Sequence, residues 1–190
     1  LFRSVTSTTV GAHIVQVYDG YNKIPVSLIN PAFNQGVHLQ TFGNPGFIAA
    51  YRWMAATQTW QAWTPTTPFV YLQVVLGESP VVHLTLGPPS YRVLTGTVPA
   101  PGDFGVDLLP GDNLVVLPLS QPDTLASELL ASIPQATRIG RWDPVAQTTH
   151  WYDGQPGNAD FVIPSGRDLH VQVTSAGRWP LPEPEPTDPP

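Results

Sequence analysis

The sequence has no cysteine, which excludes disulfides, thiolate metal sites and cysteine nucleophiles together. It has a single lysine, Lys23, and seven arginines scattered singly along the chain. Charged residues make up only 12% of it, against an ordinary ~25%. Net charge is −6. Gripping a phosphate backbone requires clustered Lys and Arg, so no nucleic-acid partner is expected. An anionic membrane surface is disfavoured for the same reason. No run approaches the ~20 apolar residues of a membrane span, so no membrane insertion is expected. The first residue is Leu1, without an initiator Met or a signal sequence, which suggests a processed or truncated product.

What is present is enough to fold. Hydrophobic residues reach 42% and aromatics 10%, unlike the charge-rich, aromatic-poor composition of disordered chains. With so little charge, the surface must be covered by Thr, Ser, Gln, Asn and Pro. That pattern is common in proteins that work outside cells or inside assemblies.

The chain repeats itself. Residues 52–59 read RWMAATQT and residues 141–148 read RWDPVAQT. Arg52, Trp53, Gln58 and Thr59 agree with Arg141, Trp142, Gln147 and Thr148 at an offset of 89. Thr6 and Thr8 match Thr95 and Thr97, and Gly77, Val82 and Thr85 match Gly166, Val171 and Thr174, at the same offset. Gly20-Tyr21-Asn22 aligns with Gly111-Asp112-Asn113 at 91. Two modules are expected, 1–91 and 92–181, followed by a tail over 182–190.

The second module reads as short strands. Residues 91–98, 104–109 and the apolar run 113–119 suit strands punctuated by Pro and Gly. One helix is expected over 124–132, with Leu125, Leu129 and Ile133 on one face, Asp123 as its cap and Pro134 as its stop. The matching segment of the first module, FNQGVHLQTFGNPG, contains Gly and Asn and predicts a weaker helix or a loop. Strands at 137–142 and 147–152 flank the turn Asp143-Pro144-Val145-Ala146, and 48–53 with 58–63 repeat that hairpin. In 168–174, Leu169, Val171 and Val173 alternate with His170 and Gln172, the mark of a strand with one buried face. The fold class is all-β: two tandem β-sandwich-like modules of about 90 residues, with at most one short helix each.

The order G-x-N-L-V-x-L-P-L, short helix, R-W-D-x-x-x-Q-T, G-x-x-x-V-x-V-T resembles a β-rich repeat of large secreted bacterial and archaeal surface proteins. That repeat runs G-W-N-L-V-x-L-P, helix, R-W-D-x-x-T-x-x-W. The second module supplies Gly111–Leu119, the 124–132 helix, Arg141–Thr148 and Gly166–Thr174. It departs at Asp112, where the family usually has Trp, and at His170, where an aromatic is usual. The first module is further away, with Met54 in place of Asp. The resemblance implies an extracellular accessory or structural module and no catalytic residues.

Chemistry-bearing patterns are sparse. His13, His38, His83, His150 and His170 form no H-x-x-x-H or H-E-x-x-H pair, and no G-x-S-x-G elbow occurs. His83 and His170 are expected to be exposed on outer strand faces. Asp143, Asp153, Asp160 and Asp168 lie in turns, where carboxylates usually cap backbone N–H groups. The stretch from Asp153 to Asp160 is oxygen-rich but lacks the spacing of a calcium loop. No enzyme activity, cofactor or metal is expected.

The aromatics carry more weight. Trp60 and Trp63 point to opposite faces of one strand, as do Trp151 and Tyr152. The exposed member of each pair could stack on a sugar ring or on a neighbouring subunit. Trp53 and Trp142 occupy equivalent positions, which points to a shared core role. The Pro-rich end, with Trp179, Pro182, Glu183, Pro184, Glu185 and Pro186, suits an extended segment that lies along a neighbour. Residues 1–10 are the other reaching part. The expectation is a non-enzymatic structural or assembly protein, secreted or in a virion, that associates with itself or with neighbouring subunits. The alternative is a carbohydrate-binding accessory module whose partner is a glycan.

Overall fold

The computed structural model describes residues 10–31, 35–66, 72–100, 104–133 and 135–179. The expectations for residues 1–9, including Thr6 and Thr8, and for the tail from Pro182 to Pro186 lie outside those residues.

The chain is all-β with two short helices. In order it forms β1 (Val10–Val17), β2 (Gly20–Lys23), α1 (Gly36–Gly43), β3 (Phe47–Met54), β4 (Thr59–Trp63), β5 (Val81–Leu84) and β6 (Ser90–Thr97). Then come β7 (Val106–Leu108), β8 (Gly111–Val116), β9 (Thr124–Leu125), α2 (Ala126–Ser132), β10 (Ala136–Asp143), β11 (Thr148–Tyr152), β12 (Val162–Ile163), β13 (Asp168–Val173) and β14 (Gly177–Trp179).

Two four-stranded antiparallel sheets have the same order, β2-β5-β3-β4 and β8-β13-β10-β11. Their registers agree residue by residue. Gly20 faces Leu84 as Gly111 faces Val173, and a bulge falls between Phe47 and Ala49 as between Ala136 and Arg138. The buried Asn22 and Asn113 hold identical turns. Asn22 Nδ2 donates to the Tyr18 and Gly20 carbonyls and its Oδ1 accepts from Tyr18 N–H; Asn113 does the same with Leu109 and Gly111. A buried amide with both ends satisfied fixes one turn geometry.

Each sheet covers its own core. The first gathers Val17, Ile24, Leu39, Val82 and Leu84; the second gathers Leu117, Leu129, Ile139, Leu169 and Val171. The alternation of β13 is as expected on this side, with Leu169, Val171 and Val173 buried. Each such side chain contributes roughly 1.5–3 kcal/mol of burial.

Residues 90–97, expected to open the second module, pair along their whole length with β1 and place Leu94 in the first core. In packing, β6 therefore belongs with the first half. Trp179, grouped above with the tail, is instead only 3% exposed and sits in the second core, carried there by the pairing of β14 with β7.

Both helices fall within the segments expected, and differ in detail. Residues 36–43 do form α1 despite their glycines. Leu39 anchors it in the core, and tertiary burial outweighs weak propensity. In α2, Leu129 and Ile133 are buried, but Leu125 lies in β9 and is exposed. Asp123 does not cap the helix, because its carboxylate accepts from Ser165 N–H. Asp160 caps it from 33 residues away, accepting from Ser127 N–H at 3.1 Å and Ser127 Oγ at 2.6 Å. Its carboxyl is held below the usual carboxylate range, first by the Ser127 hydroxyl.

Candidate functional site between the two sheets

In the repeated sequence R-W-x-x-x-x-Q-T the Trp and Gln reach across the two halves, and each Gln also holds its own turn through the Ala55 or Pro144 carbonyl. Gln58 sits in the β3–β4 turn with φ +52, and Gln147 in the β10–β11 turn with φ +53. This left-handed backbone swings each amide out of its hairpin. Gln58 Oε1 accepts from Asp112 N–H at 2.8 Å and its Nε2 donates to the Asp112 carbonyl at 3.1 Å. Reciprocally, Gln147 Oε1 accepts from Tyr21 N–H at 2.8 Å and its Nε2 donates to the Tyr21 carbonyl at 3.0 Å. The tryptophans follow: Trp53 Nε1–H donates to the Asp112 carbonyl and Trp142 Nε1–H to the Tyr21 carbonyl. Tyr21 and Asp112 are themselves aligned residues, so the halves clasp each other with one device used twice. The shared core role expected of Trp53 and Trp142 is thus corrected: both lie at the interface between the halves, outside either core.

A glycine contact across the halves supports the clasp. Gly77 has φ +86, and a Cβ there would lie 2.5 Å from Val106 Cγ1 of the second half. The aligned Gly166 has φ +73, but its Cβ would lie 2.6 Å from Leu119 Cδ2 of its own half. Gly77 N–H donates to the Val26 carbonyl, and its own carbonyl accepts from Val116 N–H of the other half, both at 2.9 Å.

The sheet faces turned away from the two cores therefore meet. A cleft of about 390 Å³ lies between them, lined by Tyr21, Lys23, Tyr51 and Trp60 on one side and by Leu114, Trp142 and His170 on the other. The Tyr21 ring stacks on His83 at 4.4 Å, and Tyr51 meets the edge of Trp60 at 6.5 Å.

His170 corrects an expectation. Its side chain is 17% exposed rather than lying on an open face, because the second sheet face is covered by the other half. It packs against Trp151 at 4.5 Å between ring centroids. Burial first, then the charges of Lys23 and Arg138, push its pKa down to about 3. Asp112 Oδ1 stands 3.4 Å from Nε2 but is also 3.9 Å from Arg138. The carboxylate is shared with that cation and does not offset the burial.

Lys23 lies in the same interface. Its Nζ is 4.0 Å from Asp168 Oδ2 and 5.9 Å from the Trp142 ring centre. Burial lowers its pKa, with Asp168 opposing. Neither Nζ nor Oδ2 has a hydrogen-bond partner. By contrast, Arg52 and Glu78 form a bidentate pair with both distances 2.7 Å.

The four aromatics singled out in the sequence are not brought together. Trp60 is 49% exposed at the cleft mouth. Trp63 packs on the first core and Tyr152 on the second. Trp151 lies beneath Arg138, whose guanidinium carbon is 4.0 Å from the ring centre. Asp153 accepts from Gln155 N–H and Asn158 Nδ2, while Asp160 is committed to α2. Among the described residues, no group of three His, Cys, Asp or Glu could hold a metal ion.

Sequence reasoning missed Lys23, Asp168 and His170 as neighbours. The available signal was the sequence's single lysine at a position aligned with the apolar Leu114. No helix among the described residues is long and apolar enough to cross a membrane. No protein-family model matches the chain, nor does any curated protein or solved structure, so the reading below rests on the residues themselves.

Proposed function

We propose that this chain is a non-enzymatic structural module of an extracellular or surface assembly, such as a filament, a surface layer or a virion, and that it associates through the β1–β6 ribbon. The carrying observation is an apolar strip on that ribbon. Cross-strand partners share a face, so Ile14 lies beside Val93 and Gln16 beside Tyr91. Val10, Ile14, Tyr91 and Val93 are 77%, 61%, 66% and 56% exposed. Contiguous apolar surface of this kind marks association sites. The β6 edge is partly taken by Ile29 at Thr97, whereas the outer edge of β1 meets no other strand among the described residues and suits further pairing. The resemblance of the second module's motifs to a repeat of secreted surface proteins supports the same reading.

Light scattering and negative-stain imaging test it. The native chain should form oligomers or filaments, and Ile14→Lys or Val93→Lys should leave monomers with an unchanged melting temperature. A native monomer at high concentration would sink the proposal, as would lysine variants that assemble normally.

A carbohydrate-binding reading is favoured by one observation, the half-exposed Trp60 at the rim of the aromatic cleft. Sugar rings stack on such a surface through their apolar face. On an immobilised glycan panel, Trp60→Ala should lose retention at least tenfold while Trp151→Ala, under Arg138, should retain it, tenfold being about 1.4 kcal/mol. Equal retention by the native chain and Trp60→Ala would remove this reading.

A further inference from the structure

Lys23 and Asp168 come from different halves and meet where water is excluded, with side chains 6% and 8% exposed. A buried ammonium and carboxylate are tolerated when their attraction and hydrogen bonds offset the loss of solvation. Charge-assisted bonds of that kind close to about 2.7–2.9 Å, as Arg52 and Glu78 do. At 4.0 Å, and with both atoms lacking any hydrogen-bond partner, Lys23 and Asp168 do not form one.

The repeat supplies an internal comparison. The position aligned with Lys23 is Leu114 and the one aligned with Asp168 is Ser79, both buried and uncharged, so the matching positions of the repeat carry no ion pair. The interface does not need these charges in order to pack. They occupy one of two equivalent sites, and they include the only lysine of a chain that has no cysteine for a disulfide.

We propose that Lys23 and Asp168 are joined by a side-chain amide, a covalent cross-link between the two halves. The Nζ lone pair attacks Asp168 Cγ and a C–N bond forms. The C–O bond to the acid's hydroxyl breaks, and that hydroxyl takes one proton from the nitrogen and leaves as water, the nitrogen keeping one hydrogen as the amide N–H. Nothing is oxidised or reduced, and no co-reactant is consumed. The ammonium–carboxylate pair and the neutral amine–acid pair give the same products, one amide and one water. Burial, which favours the uncharged amine, supplies the nucleophilic form. The flexible lysine stem closes the remaining distance, and the clasp on both sides holds the groups together. The product removes two buried charges and ties residues 23 and 168 in a loop that unfolding cannot open. This goes beyond the assembly reading and does not depend on it.

Mass spectrometry of the folded native chain tests it. The intact mass should be one water below that of the sequence, and should stay so in denaturant. Trypsin should give a branched peptide of residues 4–52 joined to 168–178, uncut after Lys23. Lys23→Arg and Asp168→Ala should each have their full sequence mass. Dehydration at Asp153-Gly154 would also remove one water, but it would persist in Lys23→Arg and give no branched peptide, which would overturn the proposal. A full native mass with free cleavage after Lys23, in a sample that melts cooperatively, would overturn it equally.

Discussion

Between pH 7 and pH 4.5 the native chain is expected to lose about 2–3 kcal/mol of stability through His170 alone, at ~1.4 kcal/mol per pH unit below the unfolded pKa. The sign follows from the direction of the shift. Burial holds the folded pKa at about 3, well below the ordinary 6.5. In this interval the unfolded chain takes up a proton that the folded chain refuses. Stability is therefore full above pH 6.5 and falls as the pH drops towards 3. His13 is shifted the same way, first by burial and then by Arg167, and adds to the loss. Asp143, Asp153 and Asp160 have lowered pKa values as well. Their contribution is lost only at lower pH, below the ordinary carboxylate pKa of about 4, so it does not blur this window.

Urea midpoints at pH 7 and 4.5 read the effect directly. His170→Val, which copies the aligned Val81, should retain most of its pH 7 stability at pH 4.5, with a residual fall from His13. A variant that falls as steeply as the native chain would show that His170 is not shielded. Because His170 lies between the sheets, acid should loosen the two halves from each other before it opens either core.

Gly77→Ala is expected to cost about 2–5 kcal/mol. Part of that is the left-handed backbone, which costs a residue with a Cβ roughly 1–2 kcal/mol. The remainder is overpacking, typically 1–3 kcal/mol, since the new methyl would meet Val106 Cγ1 at 2.5 Å. The two terms separate experimentally. In a Val106→Ala background the same substitution should cost only the backbone term. Gly166→Ala should cost a similar amount through Leu119 of its own half, and serves as the control that does not involve the interface. A shift within the ~0.5 kcal/mol of ordinary surface changes at Gly77 would mean that the halves do not pack as described.

Much of the fold could be read from the chain. The alternation in 168–174 named the buried face of β13, since a strand's side chains alternate by geometry alone. The hairpins at 48–53/58–63 and 137–142/147–152 followed from turn chemistry, and in the second Asp143 accepts from Val145 and Ala146 N–H. The helix over 36–43 was underestimated because Leu39 gains its stability from a core that no local window contains. Asp123 was preferred to Asp160 as a cap because sequence neighbours are visible and residues 33 positions away are not.

The site was legible only as a pattern without a partner. The recurrence of Trp53 and Gln58 at Trp142 and Gln147 was plain, but nothing in either copy says that each reaches for the other. Local preferences set strands, turns and the repeat, because backbone geometry and side-chain alternation act over a few residues. Only the tertiary structure decided that the second faces of the two sheets meet. That decision buries His170, brings Lys23 to Asp168 and leaves Trp60 at an open rim. It depends on surface complementarity between segments some ninety residues apart, which is a property of the folded halves and not of any stretch of sequence.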